Sequence, residues 1–336
     1  MLYVTTREQH DAFTTARAIA GNRGEDGGFY LPFRIPFFDT ETIESIVQKS
    51  YCACMAEILN LFFSCGFSAW DVEFATGRYP VQVESLQQKI YVGEIWQKQE
   101  MTYKSLATAL NARISPNSTE VVSWIRIAIG IGNLFALYGV FRQKEILSAG
   151  EVFDVALDAT DFDSAMAVWY ARKMGLPVGT IVCGCDESSG LWDLLHFGEV
   201  KCASDGNGTL PAEVERLIFS TLGYEEVQRF LHISKASGLY SLEEDAFAQL
   251  RSGLFASVVS EGRMLSVIPN VYRTCEYVLN PRSALAYSAL LDYRTKEGEG
   301  RSAVVLSHSN PICDEKVVAS AMSVKPDELR RILNLL

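Results

Sequence analysis

Three observations predict an α/β fold. The first is a strand–loop–helix–strand unit between Val152 and Cys183. Val152–Leu157 is a short apolar run with the look of a buried strand. Ser164–Met174 follows as a helix, with Asp163 or Ser164 as N-cap and Gly175 as C-cap, and Gly179–Cys183 is the next strand. The second is Val121–Phe141, an apolar stretch as long as a membrane span. It holds Arg126, Asn133 and three glycines. A charge at mid-span costs at least about 2.5 kcal/mol, which argues against a span. The third is helical apolar spacing over Thr40–Gln48, Ala53–Phe63 and Val81–Gln88, so the N-terminal third is predicted to be mostly helical. Tyr51–Phe67 is apolar on several faces and is expected to pack inside or against a partner. The tail, Lys325–Leu336, reads as an amphipathic helix with Pro326 in its first turn.

Composition narrows the function classes. The chain has 336 residues, enough for two domains, with 48% hydrophobic residues. Its net charge of −11 argues against nucleic acid or an anionic membrane as the main partner. Met1–Val4 leads straight into polar sequence, with no secretory pattern. The 8 cysteines include two Cys-x-Cys pairs, Cys52/Cys54 and Cys183/Cys185, but no zinc spacing, and no metal is expected. Scattered cysteines without a signal suggest a reducing cytoplasm. No dinucleotide fingerprint, P-loop, zincin or serine-hydrolase motif is present.

The loop between the strand and helix of the first unit lies where a phosphate normally sits, on backbone N–H groups and the helix dipole. It reads Ala159, Thr160, Asp161, Phe162, Asp163, Ser164. This segment resembles that of threonine synthase, a pyridoxal-phosphate (PLP) enzyme of fold type II, whose loop has the form Ser/Thr-Gly-Asn-Phe-Gly-Asn/Asp. Phe162 fits; both glycines are replaced, and Asp161 and Asp163 add carboxylates. A helix N-terminus favours an anion by about 0.3–1 kcal/mol. A carboxylate about 4 Å from that anion opposes it by about 4 kcal/mol at an effective dielectric of about 20. If either aspartate points into the loop, repulsion prevails. The alternative is that Asp163 caps the helix and Asp161 faces water.

Other motifs resemble the same family in chain order. Tyr3-Val-Thr-Thr-Arg7, Gly24-Glu-Asp-Gly-Gly-Phe-Tyr-Leu-Pro32 and Ile35-Pro36 are similar to its opening strand, Asp-Gly-Gly turn and Ile-Pro. Glu94–Ala107 resembles its Glu-Leu-Phe-His-Gly-Pro-Thr-Leu-Ala-Phe-Lys-Asp-Phe-Ala, with Glu94, Tyr103, Lys104 and Ala107 in register. The resemblance places Lys104 at the Schiff-base position. Gln97, Lys98, Gln99 and Glu100 replace the His-Gly-Pro-Thr part. Leu194–Val200, Pro211–Phe219, Pro281–Tyr287 and Leu306–Pro311 match further segments, and His308 falls at the pyridine-nitrogen position. The match makes Val121–Phe141 a buried central helix.

The largest departure is a deletion. After Lys104 the family has a lobe on the order of a hundred residues, the size of a small domain. Here Ser115-Pro-Asn-Ser-Thr119 leads almost at once into the apolar stretch. The resemblance therefore implies a threonine-synthase-like N-terminal domain over 1–90 and a large α/β domain over 91–336, with helices on both faces of its sheet and the small lobe missing near 115–120. It implies a PLP site at Lys104, the degenerate loop Thr160–Ser164 and His308, from which PLP is expected to be lost. The expected role is binding or structural, through an unknown protein partner or a homo-oligomer. One alternative is a remodelled PLP-dependent lyase acting on O-phosphohomoserine or a related amino acid, with Lys98 or Arg282 replacing lost phosphate contacts. Another is half of a split enzyme completed in trans.

Overall fold

The opening residues build a small antiparallel sheet in the order β2-β1-β3, from β1 (Leu2–Thr5), β2 (Phe13–Thr14) and β3 (Tyr30–Pro32), with helix α1 (Thr15–Ile19) beside it. The computed structural model describes residues 1–8, 10–77, 81–96, 102–114, 122–160, 162–201, 214–298 and 300–335, with backbone alone at 102–105 and 235–237. Three helices follow: α2 (Thr40–Val47), α3 (Tyr51–Phe63) and α4 (Ala69–Thr76). Each begins on a capping side chain, namely Asp39, Ser50 and Ser68, and Ser68 forms a capping box with Asp71.

The helix predicted over 81–88 is a strand. β4 (Gln82–Gln87) pairs antiparallel with β5 (Ile90–Glu94) across a tight turn in which Lys89 takes φ +60°. Its two buried residues, Val83 and Leu86, are three apart, a spacing that suits a helix. A register shift between Ser85 and Gln87 breaks the alternation that would have marked a strand. The N-terminal third is thus less helical than its sequence suggested.

Helix α5 (Thr102–Ile114) follows the carboxyl end of β5, and residues 115–122 lead directly to α6 (Ser123–Gln143). Among the described residues no element stands between the two. Helix α6 is long and apolar enough to cross a membrane, yet 83% of its apolar window is buried inside the molecule, which makes it the central core helix. Next come β6 (Phe153–Asp158), α7 (Phe162–Lys173) and β7 (Val178–Cys185). Helix α7 starts at Phe162 rather than Ser164, which puts Asp163 inside its first turn. Gly175 ends it as predicted: φ is +102°, Gly175 N–H donates to Arg172 O at 3.0 Å, and Leu176 N–H donates to Ala171 O at 3.1 Å.

The remaining elements are α8 (Gly190–Phe197), β8 (Glu199–Lys201), α9 (Val214–Leu222), α10 (Tyr224–Ser237), β9 (Leu239–Ser241), α11 (Glu244–Arg251), β10 (Leu254–Val258), α12 (Glu261–Cys275), α13 (Pro281–Glu297), β11 (Ala303–Ser307), α14 (Glu315–Met322) and α15 (Pro326–Ile332). The main sheet has the order β10-β7-β6-β11-β5-β4, parallel except for β4. Helices cover both faces, and the strands split their side chains with period two. Val155, Leu157, Ile181, Val304 and Leu306 join the core that holds α3, α6 and α7, whereas Ala156, Val182, Ala303, Val305 and Val92 join the core that holds α12, α13 and α14.

Candidate functional site at the carboxyl edge of the sheet

Parallel strands place their carboxyl ends at one edge, where ligands bind in open α/β sheets. Here β6, β11 and β5 are neighbours, so three segments converge: the loop after β6, the residues after β11, and α5 after β5. Lys104 stands in the first turn of α5, His308 directly follows β11, and Thr160, Phe162, Asp163 and Ser164 lie in or after the β6 loop. Asp161, Lys98 and the Lys104 side chain lie outside the described residues.

The edge is tied together by side chains that the sequence had not singled out. Trp96 Nε1 donates to Ser307 Oγ at 3.1 Å, and Asn280 Nδ2 donates to the same oxygen at 3.1 Å and to Ser309 O at 2.5 Å. Asn280 also caps α13, accepting from Ser283 N–H ahead of Pro281 in the first turn. Tyr277 donates its hydroxyl to Glu94 Oε1 at 2.7 Å. Burial pushes the Glu94 carboxyl above its ordinary range; the Tyr277 hydrogen bond acts the other way, and nearby Glu84 adds to the rise. The only readable signal for this network was Asn280-Pro281, a cap followed by an N1 proline.

The β6 loop is saturated by the chain's own groups. Asp158 is buried, and its Oδ1 accepts from Thr160 N–H at 2.8 Å and from Thr160 Oγ1 at 2.7 Å. Its Oδ2 pairs with Arg282 Nε. Asp163 neither caps α7 nor points into the loop, contrary to both expectations. It is 3% exposed and faces the core, where Oδ1 accepts from Ser123 Oγ at 2.6 Å and Oδ2 lies 2.7 Å from the Arg126 guanidinium. The Arg216 guanidinium, 1% exposed, is 4.0 Å from Asp163 Oδ1; it also donates to Ser123 Oγ and, at 3.1 Å, to Tyr30 O. Phe162 is buried in the same core, and Ser164 is half-buried.

Sequence and structure comparisons agree on kinship. Residues 2–74 match the family model of the threonine synthase N terminus. Threonine synthase-like 1 of Homo sapiens is 23% identical over 190 residues, covering 51% of this chain and 24% of the relative. The chain is similar to threonine synthases, most specifically over residues 2–74. Threonine synthase of Pseudomonas aeruginosa is 26% identical over 147 residues, covering 40% of this chain and 30% of the relative. The match thus spans less than a third of either curated relative. The PLP-bound threonine synthase of Brucella melitensis superposes with a TM-score of 0.78 at 18% identity, the overlap spanning 99% of this chain and 94% of that one. The fold is that of threonine synthase, a type II PLP-enzyme fold with a mixed central sheet.

PLP is the cofactor this family implies, and the β6 loop does not fit its phosphate. Thr160, which the sequence resemblance sets at a loop glycine, gives both its amide and its hydroxyl to Asp158. A second anion there would face that buried carboxylate at close range. Asp163, which the resemblance sets at the other glycine, is bound up with Ser123, Arg126 and Arg216. Arg282, a candidate for replacing phosphate contacts, holds Asp158 through Nε.

Proposed function

We propose that this threonine synthase-like chain has given up threonine synthase chemistry and serves as a binding or structural protein. The observation that carries the reading is the direct passage from α5 to α6 across residues 115–122. The family's small lobe belongs at that point, facing the cofactor from the other side. A site without it is open to water, where an imine on a lysine exchanges and hydrolyses. Local substitutions are compensated by neighbours, but a missing wall is not. The chain then acts through a protein partner or a second copy of itself, in a reducing cytoplasm, without nucleic acid or membrane as its target.

The test is a PLP titration of the purified chain, followed by visible absorbance and borohydride trapping, with Lys104→Ala as control. No Lys104-dependent adduct is expected, and no threonine from O-phosphohomoserine. A saturable adduct lost in Lys104→Ala would favour the second reading, a remodelled PLP-dependent lyase. The placement of Lys104 in the helix that follows β5, at the same sheet edge as His308, favours that reading.

A further inference from the structure

The mismatch between the β6 loop and a phosphate has a definite centre in Asp158. Its side chain is 4% exposed, and it stands at the strand end, just before a helix N-terminus, where this architecture offers donors to an anion. Two donors reach it from Thr160, at 2.8 and 2.7 Å. The third is the Arg282 Nε, brought from the first turn of α13, far away in sequence. Local amide, local hydroxyl and remote guanidinium form the donor set that a phosphate oxygen would want. The second acidic residue, Asp163, is not part of it: its carboxylate is taken by Ser123, the half-buried Arg126 and the buried Arg216.

We infer that Asp158 is the chain's own replacement for the anion of this site: its carboxylate occupies Thr160 and Arg282 and closes the position to free phosphate and to phosphate esters. The inference rests on the reading that cofactor chemistry has been given up, and it names the residue that keeps the cofactor's phosphate out. Removing the carboxylate converts a self-saturated site into a phosphate site. The repulsion relieved corresponds to a gain on the order of a thousandfold in affinity for charges about 4 Å apart at an effective dielectric of about 20.

The experiment uses the full chain and inorganic phosphate, read by titration calorimetry. The proteins are wild type, Asp158→Asn, Asp158→Ala and Asp158→Ala/Arg282→Ala, each checked by circular dichroism. Asp158→Asn keeps an acceptor for Thr160 while losing the charge. Wild type is expected to show no saturable phosphate binding into the millimolar range. Both single variants should gain at least tenfold, with the gain lost in the double variant. Folded single variants that bind no better than wild type would overturn the inference, and so would a gain that survives the loss of Arg282. If the single variants do not fold, phosphate should restore their circular dichroism and Tm, and no rescue would overturn it. A separate comparison of pyridoxal with its phosphate keeps the two readings apart. A Lys104-dependent adduct formed equally with both would sink the loss-of-chemistry reading and leave the role of Asp158 standing.

Discussion

At the scale of single residues, Asp163, which the sequence resemblance sets at a loop glycine, is buried and faces the core. Its carboxylate balances Arg216, and both are nearly inaccessible to solvent. Removing one partner of a buried ion pair strands the other charge, at about 3–5 kcal/mol. Asp163→Ala and Asp163→Gly should therefore lower unfolding free energy by that amount in urea titrations; a loss within experimental error would mean that the remaining contacts of Arg216, Ser123 and Tyr30 among them, compensate it. Glu94 gives a pH dependence. An acid whose folded pKa is raised holds its proton more tightly in the native state, so stability is greatest below the unfolded value of about 4.3 and declines as pH rises through the folded one. Glu94→Gln keeps an acceptor for Tyr277 and removes the decline. The wild-type Tm should fall relative to the variant as pH rises above that unfolded value, and parallel curves would rule this out. Burial pushes the thiols of Cys54 and Cys185 up to about 12. Native-state alkylation at pH 8 should leave both unlabelled by mass spectrometry. The surroundings of Asp163 were not legible beforehand: sequence placed it at a cap or in a loop, because local spacing does not reveal the cations that α6 and α9 bring to it.

At the scale of elements, punctuation was legible and the hairpin was not. Gly175, Pro326 and Asn280-Pro281 end or begin helices as local rules require. The β4 strand was misread because a bulge gave its buried residues helical spacing. Gly175→Ala should cost at least about 2 kcal/mol, since a left-handed backbone alone costs about 1–2 kcal/mol for other residues and a Cβ would lie 2.2 Å from Phe38 O. In α6, alanine for glycine would ordinarily stabilise by about 1 kcal/mol. Gly139→Ala should do the opposite, because its Cβ would fall 2.5 Å from Val47 O at the end of α2. Thermal melts of the two variants check both signs.

At the scale of the whole molecule, the sequence motifs anticipated the fold, since they recur in order along the chain and the sheet brings their segments to one edge. What they left hidden was the network across that edge, because Trp96, the pair Tyr277 and Asn280, and Ser307 come from three separate stretches of sequence. One sheet divides the two cores, and every strand of β6, β7 and β11 feeds both. Unfolding should therefore be a single transition. Tryptophan fluorescence, to which Trp124, Trp169 and Trp192 contribute from one core, should coincide with far-ultraviolet circular dichroism; separated midpoints would show that the cores melt independently. The Asp163–Arg216 pairing also bears on ancestry. Placing glycine at 163 alone would remove the carboxylate that faces Arg126 and Arg216, so such a step passes through a less stable intermediate unless the cations change with it. If position 163 was once the glycine that the resemblance implies, the change behaves as an evolutionary ratchet, with stepwise reversal opposed by the fold itself.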